Sequence, residues 1–233
     1  MTSTPEGYRQ HALEPPRVAA VAGVIFSLLT IVGLGLVRYA VPADPSQPGI
    51  WLTEPDRRDA VRFALDLVPF AGIAFLWFIG VLRSRLGELE DQLFATVFLA
   101  SGLLFVATLF VSSSIMSGLI ESVASRNIDG HAYFFGRHIT DALMNLFAMK
   151  MAAVFMFTTC TIGMRTAIFP RWVAILGYAC ALVLLAVIAN WRWVTLVFPI
   201  WMLLVSVQIL FAEFYTRNGE TAGVGRHHRY GPT

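Results

Sequence analysis

Charge is the scarcest commodity in this chain. Only 14% of the 233 residues are Asp, Glu, Lys or Arg, against 57% hydrophobic, whereas soluble domains carry about 25% charged residues. Too few polar side chains are present to coat a water-soluble globule. Lysine is scarcer still, Lys150 standing alone beside sixteen arginines, an imbalance that suits a GC-rich bacterial genome. The net charge of +2 offers no electrostatic footprint for nucleic acid. Cysteine occurs twice, at Cys160 and Cys180, each time inside an apolar run. With no CxxC and no Cys/His cluster, neither a metal nor any other cofactor is expected. The motifs GxxxxGK[ST], GxGxxG after a strand, HExxH and GxSxG are missing as well, which removes the usual marks of ATP-driven, dinucleotide-dependent, zincin and hydrolase chemistry. All five histidines lie outside the apolar runs, so a bis-histidine haem inside a bundle has no ligands.

What the chain has in abundance is uninterrupted hydrocarbon. Runs of about 20 apolar residues recur, the length an α-helix needs to cross roughly 30 Å of bilayer core. The expected fold is therefore all-α, a polytopic transmembrane helix bundle of about six spans, at 18–41, 60–82, 93–120, 142–164, 172–189 and 193–215. A disordered arm (1–17) precedes the bundle (18–216), and a polar tail (217–233) follows it. The first run is longer than a signal-peptide core and reads as an uncleaved anchor. Residues 42–59, with four prolines and four acids, read as an aqueous loop with Trp51 at the interface. Arg83, Arg85, Glu88, Glu90 and Asp91 read as a tight charged connector. Residues 121–141 read as a polar loop whose Tyr133-Phe134-Phe135 sits at headgroup level. Small residues at Gly33, Gly35, Ser101-Gly102, Ala148 and Ala152 mark places where helices can approach closely.

Polar side chains within or beside the spans are the candidates for function, because a charge at mid-membrane costs at least about 3 kcal/mol. Asp66 lies about 9 Å into the second span, with Arg62 one turn earlier, and Lys150 lies about 12 Å into the fourth. Opposite charges at similar depth are natural partners, so an Asp66–Lys150 pair is expected. His138, Asp141 and Asn145 fall within about a 60° arc where the fourth span begins, and Glu121 closes the third span on the same side. These seven residues (Arg62, Asp66, Glu121, His138, Asp141, Asn145 and Lys150) form the expected site, a polar pocket open to one face and closed below by apolar side chains.

The stretch Phe75-Leu76-Trp77-Phe78, with Leu82-Arg83-Ser84-Arg85-Leu86-Gly87 and Phe94-Ala95-Thr96, is similar to stretches of bacterial multi-pass proteins. That resemblance implies a membrane bundle and brings no activity with it. Three functions are compatible with these features: a non-catalytic accessory subunit of a larger envelope complex, a small transporter or ion pathway using Asp66 and Lys150, and a lipid-modifying enzyme. The expected partners are the lipid bilayer and other membrane proteins, with no nucleic acid.

Orientation follows from arginines near the span ends. With a cytoplasmic N-terminus nine fall on the inner side and seven outside, so the positive-inside rule places both termini in the cytoplasm of a plasma membrane. Reporter fusions at positions 50, 130 and 191 should then read outside, and fusions at 88, 168 and 225 inside. A reversed pattern would invert the topology.

Overall fold

The second helix shows how local chemistry sets an element. Pro55 opens it with a ring whose missing N–H is no loss at a first helical position. Glu54, just before it, accepts a 2.9 Å ion pair from Arg57 Nε, and its carbonyl accepts from Arg58 N at 3.1 Å. Asp56 adds an acid to the positive end of the helix dipole. In the computed structural model, which describes residues 15–47, 49–86, 92–124, 130–166, 170–186 and 193–227, all regular structure among the described residues is helical. The elements are α1 (Pro15–Ala40), a 3-10 turn (Ile50–Thr53), α2 (Pro55–Leu86), α3 (Gln92–Ala124), α4 (Gly130–Ala142), α5 (Met149–Thr166), α6 (Arg171–Ala186) and α7 (Val194–His227). A π-helical stretch, Leu143–Ala148, joins α4 to α5. Most of the expected arm, Glu88, Glu90 and Asp91 of the connector, Asn190-Trp191-Arg192, and His228 with Arg229 lie outside the described residues.

The chain is an all-α, multi-pass transmembrane bundle. Five helical segments are long and apolar enough to cross a membrane, and α6 is a sixth, shorter apolar helix. Exposed aromatic rings stand towards both ends, Tyr39 and Trp193 on the face that carries residues 41–54, Trp77 and Trp172 on the opposite one, where amphipathic rings favour the headgroup level. The face bearing residues 41–54 is called the first-loop face below.

Two expectations for the loops are corrected. Residues 130–141 are helical, and α4, the π stretch and α5 run on as one span from Gly130 to Arg165. Within it Tyr133 is buried and Phe135 exposed; the apolar spacing of Tyr133, Gly136 and Thr140, one helical face, outweighs the local polarity. The first loop is not wholly aqueous either: Asp44, Ser46 and Gln47 are exposed, but Trp51 and Leu52 are buried. Trp51 is 1% exposed and donates from Nε1 to Tyr133 Oη at 3.1 Å, and with Leu52 it joins Val61, Met116, Ile120 and Tyr133 in a second small core. The loop folds back over the end of the bundle, and the buried indole finds a partner for its N–H there.

The main core lies where the helices cross. Phe26 of α1, Phe75 of α2, Phe105 of α3, Phe155 of α5 and Phe198 of α7 meet ring to ring, with centroids from 4.6 to 6.2 Å apart. Lipid tails remove the hydrophobic drive between helices, so such packing and close backbone approach must hold the bundle. A Cβ on Gly102 would stand 2.5 Å from Ile79 Cδ1, and one on Gly177 would stand 2.3 Å from Cys160 Sγ. Ala148 and Ala152 are fully buried, whereas Gly35 faces open space and makes no close helix contact. The serine-rich end of α3 is largely self-satisfied, Ser113 and Ser114 donating to the carbonyls of Leu109 and Phe110 one turn back.

Phe75 touches five other rings. Phe75→Ala should therefore lower stability in detergent by about 2–4 kcal/mol, read by thermal or denaturant unfolding. Trp77→Ala, whose ring is largely exposed, should stay within about 0.5 kcal/mol of the parent.

Candidate functional site: a two-chambered cavity under the first loop

Three helix ends and the first loop converge on the first-loop face. Arg38 stands in the last turn of α1, where a cation complements the helix dipole, and its Nη2 donates to Thr195 Oγ1 at the start of α7. Arg137, on α4, is only 7% exposed, and its Nη2 donates to the carbonyl of Pro42 at 3.2 Å. One side chain thus ties α1 to α7, the other ties the loop to α4. Asn145 Nδ2 donates to Asp141 Oδ1 at 2.7 Å.

Between these groups lies a cavity of about 140 Å³ whose lining includes Arg38, Arg137, Thr140, Asp141, Asn145 and Thr195. A second, apolar chamber of about 110 Å³ adjoins it. Leu34, Val37, Met116, Thr140, Met144 and Thr195 line both. The apolar chamber follows α1 from Val37 back to Leu29, roughly 12 Å along the helix axis, and reaches Phe105 and Phe198 of the ring cluster. Polar groups gather at the membrane face and phenyl rings fill the depth.

The π stretch carries two of the lining residues, Met144 and Asn145. Such segments displace a helical carbonyl from its usual partner and are found frequently at functional sites. Here Ser112 Oγ of α3 approaches the carbonyl of Thr140, a lining residue three positions before the stretch, at 3.4 Å.

Of the seven residues singled out from the sequence, Asp141 and Asn145 line the cavity, and the other five stand elsewhere. Arg62 and Glu121 form an ion pair of 3.2 Å between α2 and α3, with side chains 43% and 79% exposed, a geometry that contributes less than about 1 kcal/mol in water. His138 is exposed. Asp66 is exposed too, and among the described residues no ion pair within 4.0 Å joins it to Lys150 or Arg62. The expected Asp66–Lys150 pair is therefore corrected. Lys150 Nζ instead donates to the carbonyl of Leu184 at 2.9 Å and to that of Leu185. These belong to the last turn of α6, whose carbonyls lack partners within the helix. Lys150 therefore serves α6 while Asp141 lines the cavity, and the two have different neighbours. Among the described residues no group of three His, Cys, Asp or Glu side chains is placed to hold a metal.

Arg38, Arg137 and Thr195 were not singled out. For Arg137 a signal existed: with Asp141 and Asn145 it forms an i, i+4, i+8 series on one helical face. For Arg38 none existed, because its place depends on where α7 begins in space.

The Lys150 cap generates a stability test. Lys150→Met should destabilise the bundle by about 1–3 kcal/mol, the cost of stranding buried carbonyls, while Asp66→Ala should be nearly neutral. The double variant should then match Lys150→Met alone in a melting experiment, and rescue of the lysine variant by Asp66→Ala would restore the ion pair. Compared with protein-family models, curated proteins and solved structures, the chain matches none.

Proposed function

We propose that the protein is a non-catalytic subunit of a larger membrane complex in a bacterial cell envelope, and that the cavity under the first loop is its docking pocket. In this reading the chain sits in the plasma membrane with both termini cytoplasmic, and the cavity mouth opens to the outer side. The observation that carries the reading is the shape of the cavity: charged and amide groups at the mouth, hydrocarbon below, and the phenylalanine cluster where it ends.

Conduction asks for polar stations on both sides of the midplane or a mobile element that exposes one alternately. Phe26, Phe75, Phe105, Phe155 and Phe198 occupy the centre of this bundle, which favours docking over a pathway. The cavity's ionisable groups are two arginines and one carboxylate, and none has a nucleophile–base pair beside it of the kind covalent catalysis uses. That favours binding over lipid modification.

Two measurements on the purified full chain test this. Mass spectrometry of material isolated in mild detergent should find a membrane protein retained by the parent and lost with Arg137→Gln. Reconstituted vesicles should show no ion flux above protein-free controls. Reproducible flux abolished by Asp66→Asn would overturn the docking reading and establish a transport pathway.

A further inference from the structure

We infer that the occupant of the cavity is a short single-chain amphiphile with an oxyanion head, a carboxylate or phosphate, bound head-up against Arg137 with its chain in the apolar chamber. This rests on the docking reading above and adds the chemistry of what docks. Three observations converge on it.

The first is the state of Arg137. A guanidinium carries five N–H donors in a fixed fork. This one is 93% buried by its 7% exposure, lines the cavity, and makes a single hydrogen bond among the described residues, to Pro42 O. A buried guanidinium with one hydrogen bond, beside a cavity and with Asp141 of the same lining as its nearby countercharge, has donors left for an acceptor placed there. A planar oxyanion matches that fork better than any neutral group does.

The second is the balance of charge around it. Arg38 and Arg137 face one carboxylate, Asp141, which already accepts from Asn145. The mouth keeps a net positive charge, so it selects anions and disfavours cations.

The third is volume and polarity below the head. Chambers of about 110 and 140 Å³ fall short of the ~300 Å³ at which drug-sized sites begin, and an engineered apolar cavity of about 150 Å³ holds one benzene. By that yardstick the lower chamber falls short of a six-carbon ring, so neither a two-chain lipid nor a long fatty chain fits, but a chain of about four carbons does. The lower chamber is lined by Leu29, Leu34, Val68, Leu109, Met144 and Phe198, with no charged side chain, so it rewards hydrocarbon and gives a free inorganic anion nothing further to bind. Met144, on the π stretch and with a flexible side chain, stands at the junction of the two chambers and can adapt to a chain passing it.

The test uses the full-length protein in an uncharged maltoside detergent, with pentanoate, pentanol and inorganic phosphate as probes and native mass spectrometry or calorimetry as readout. Pentanoate should bind at least about tenfold more tightly than pentanol or phosphate, since a hydrogen-bonded charge is worth that factor or more. Arg137→Gln should weaken pentanoate about 10- to 100-fold, and Leu34→Trp, which fills the junction while leaving the arginine, should abolish it. If Arg137→Gln does not fold, Leu34→Trp and the pentanoate-to-pentanol ratio decide. Equal binding of pentanol and pentanoate, or phosphate binding as tightly as pentanoate, would overturn the inference. So would pentanoate that does not bind while Arg137→Gln still releases a copurifying protein, an outcome that leaves the docking reading intact; flux through the parent protein would remove that reading instead.

Discussion

In a bilayer, apolar helices gain nothing by hiding from their surroundings, and everything else in this molecule depends on how it meets that constraint. The solution is contact: five phenylalanines from five helices interlock at the crossing point, and small residues let the backbones close around them. Aromatic pairs contribute about 0.5–1.5 kcal/mol each beyond simple area, so the cluster is a substantial share of what holds the helices together. It also sets the depth of the cavity. Phe105 and Phe198 belong to both cluster and chamber lining, so the residues that bind the bundle together also form the floor of the chamber.

Above the rings the organisation changes from packing to polar ties. Arg38 links α1 to α7, Arg137 links the first loop to α4, Trp51 links the same loop to Tyr133, and Lys150 completes the last turn of α6. Each tie joins segments distant in sequence. Two of the four, Arg38 and Arg137, also line the cavity. The fold thereby holds both side chains in place, so a ligand of the kind proposed above would not have to order them.

The architecture was largely legible from composition and run length, because the bilayer imposes one element type and one minimum length. Spans around Gly102 and Ala148–Ala152 were rightly read as close contacts. The site was legible only in part. Asp141 and Asn145 share a face by helical spacing alone, so they could be found. Asp66 and Lys150 looked like partners because depth along a helix can be read from sequence while direction around the bundle cannot. Lys150 turned out to face α6, an element whose last turn needed donors. Trp51 and the segment from Gly130 were misread for a related reason: local polarity suggested water, but a buried ring and one continuous helix depend on neighbours that no local window contains.

The tie between Trp51 and Tyr133 also has a consequence in time. The two residues are 82 positions apart, and synthesis proceeds at about 5–20 residues per second, so roughly 4 to 16 s separate the emergence of the indole from that of the phenol that will hold it. Arg137, which fastens Pro42, arrives later still. Until then the first helical hairpin must stand in the membrane with its connecting strap unfastened. The cavity beneath the strap is completed later again, because Thr195 of α7 belongs to its lining.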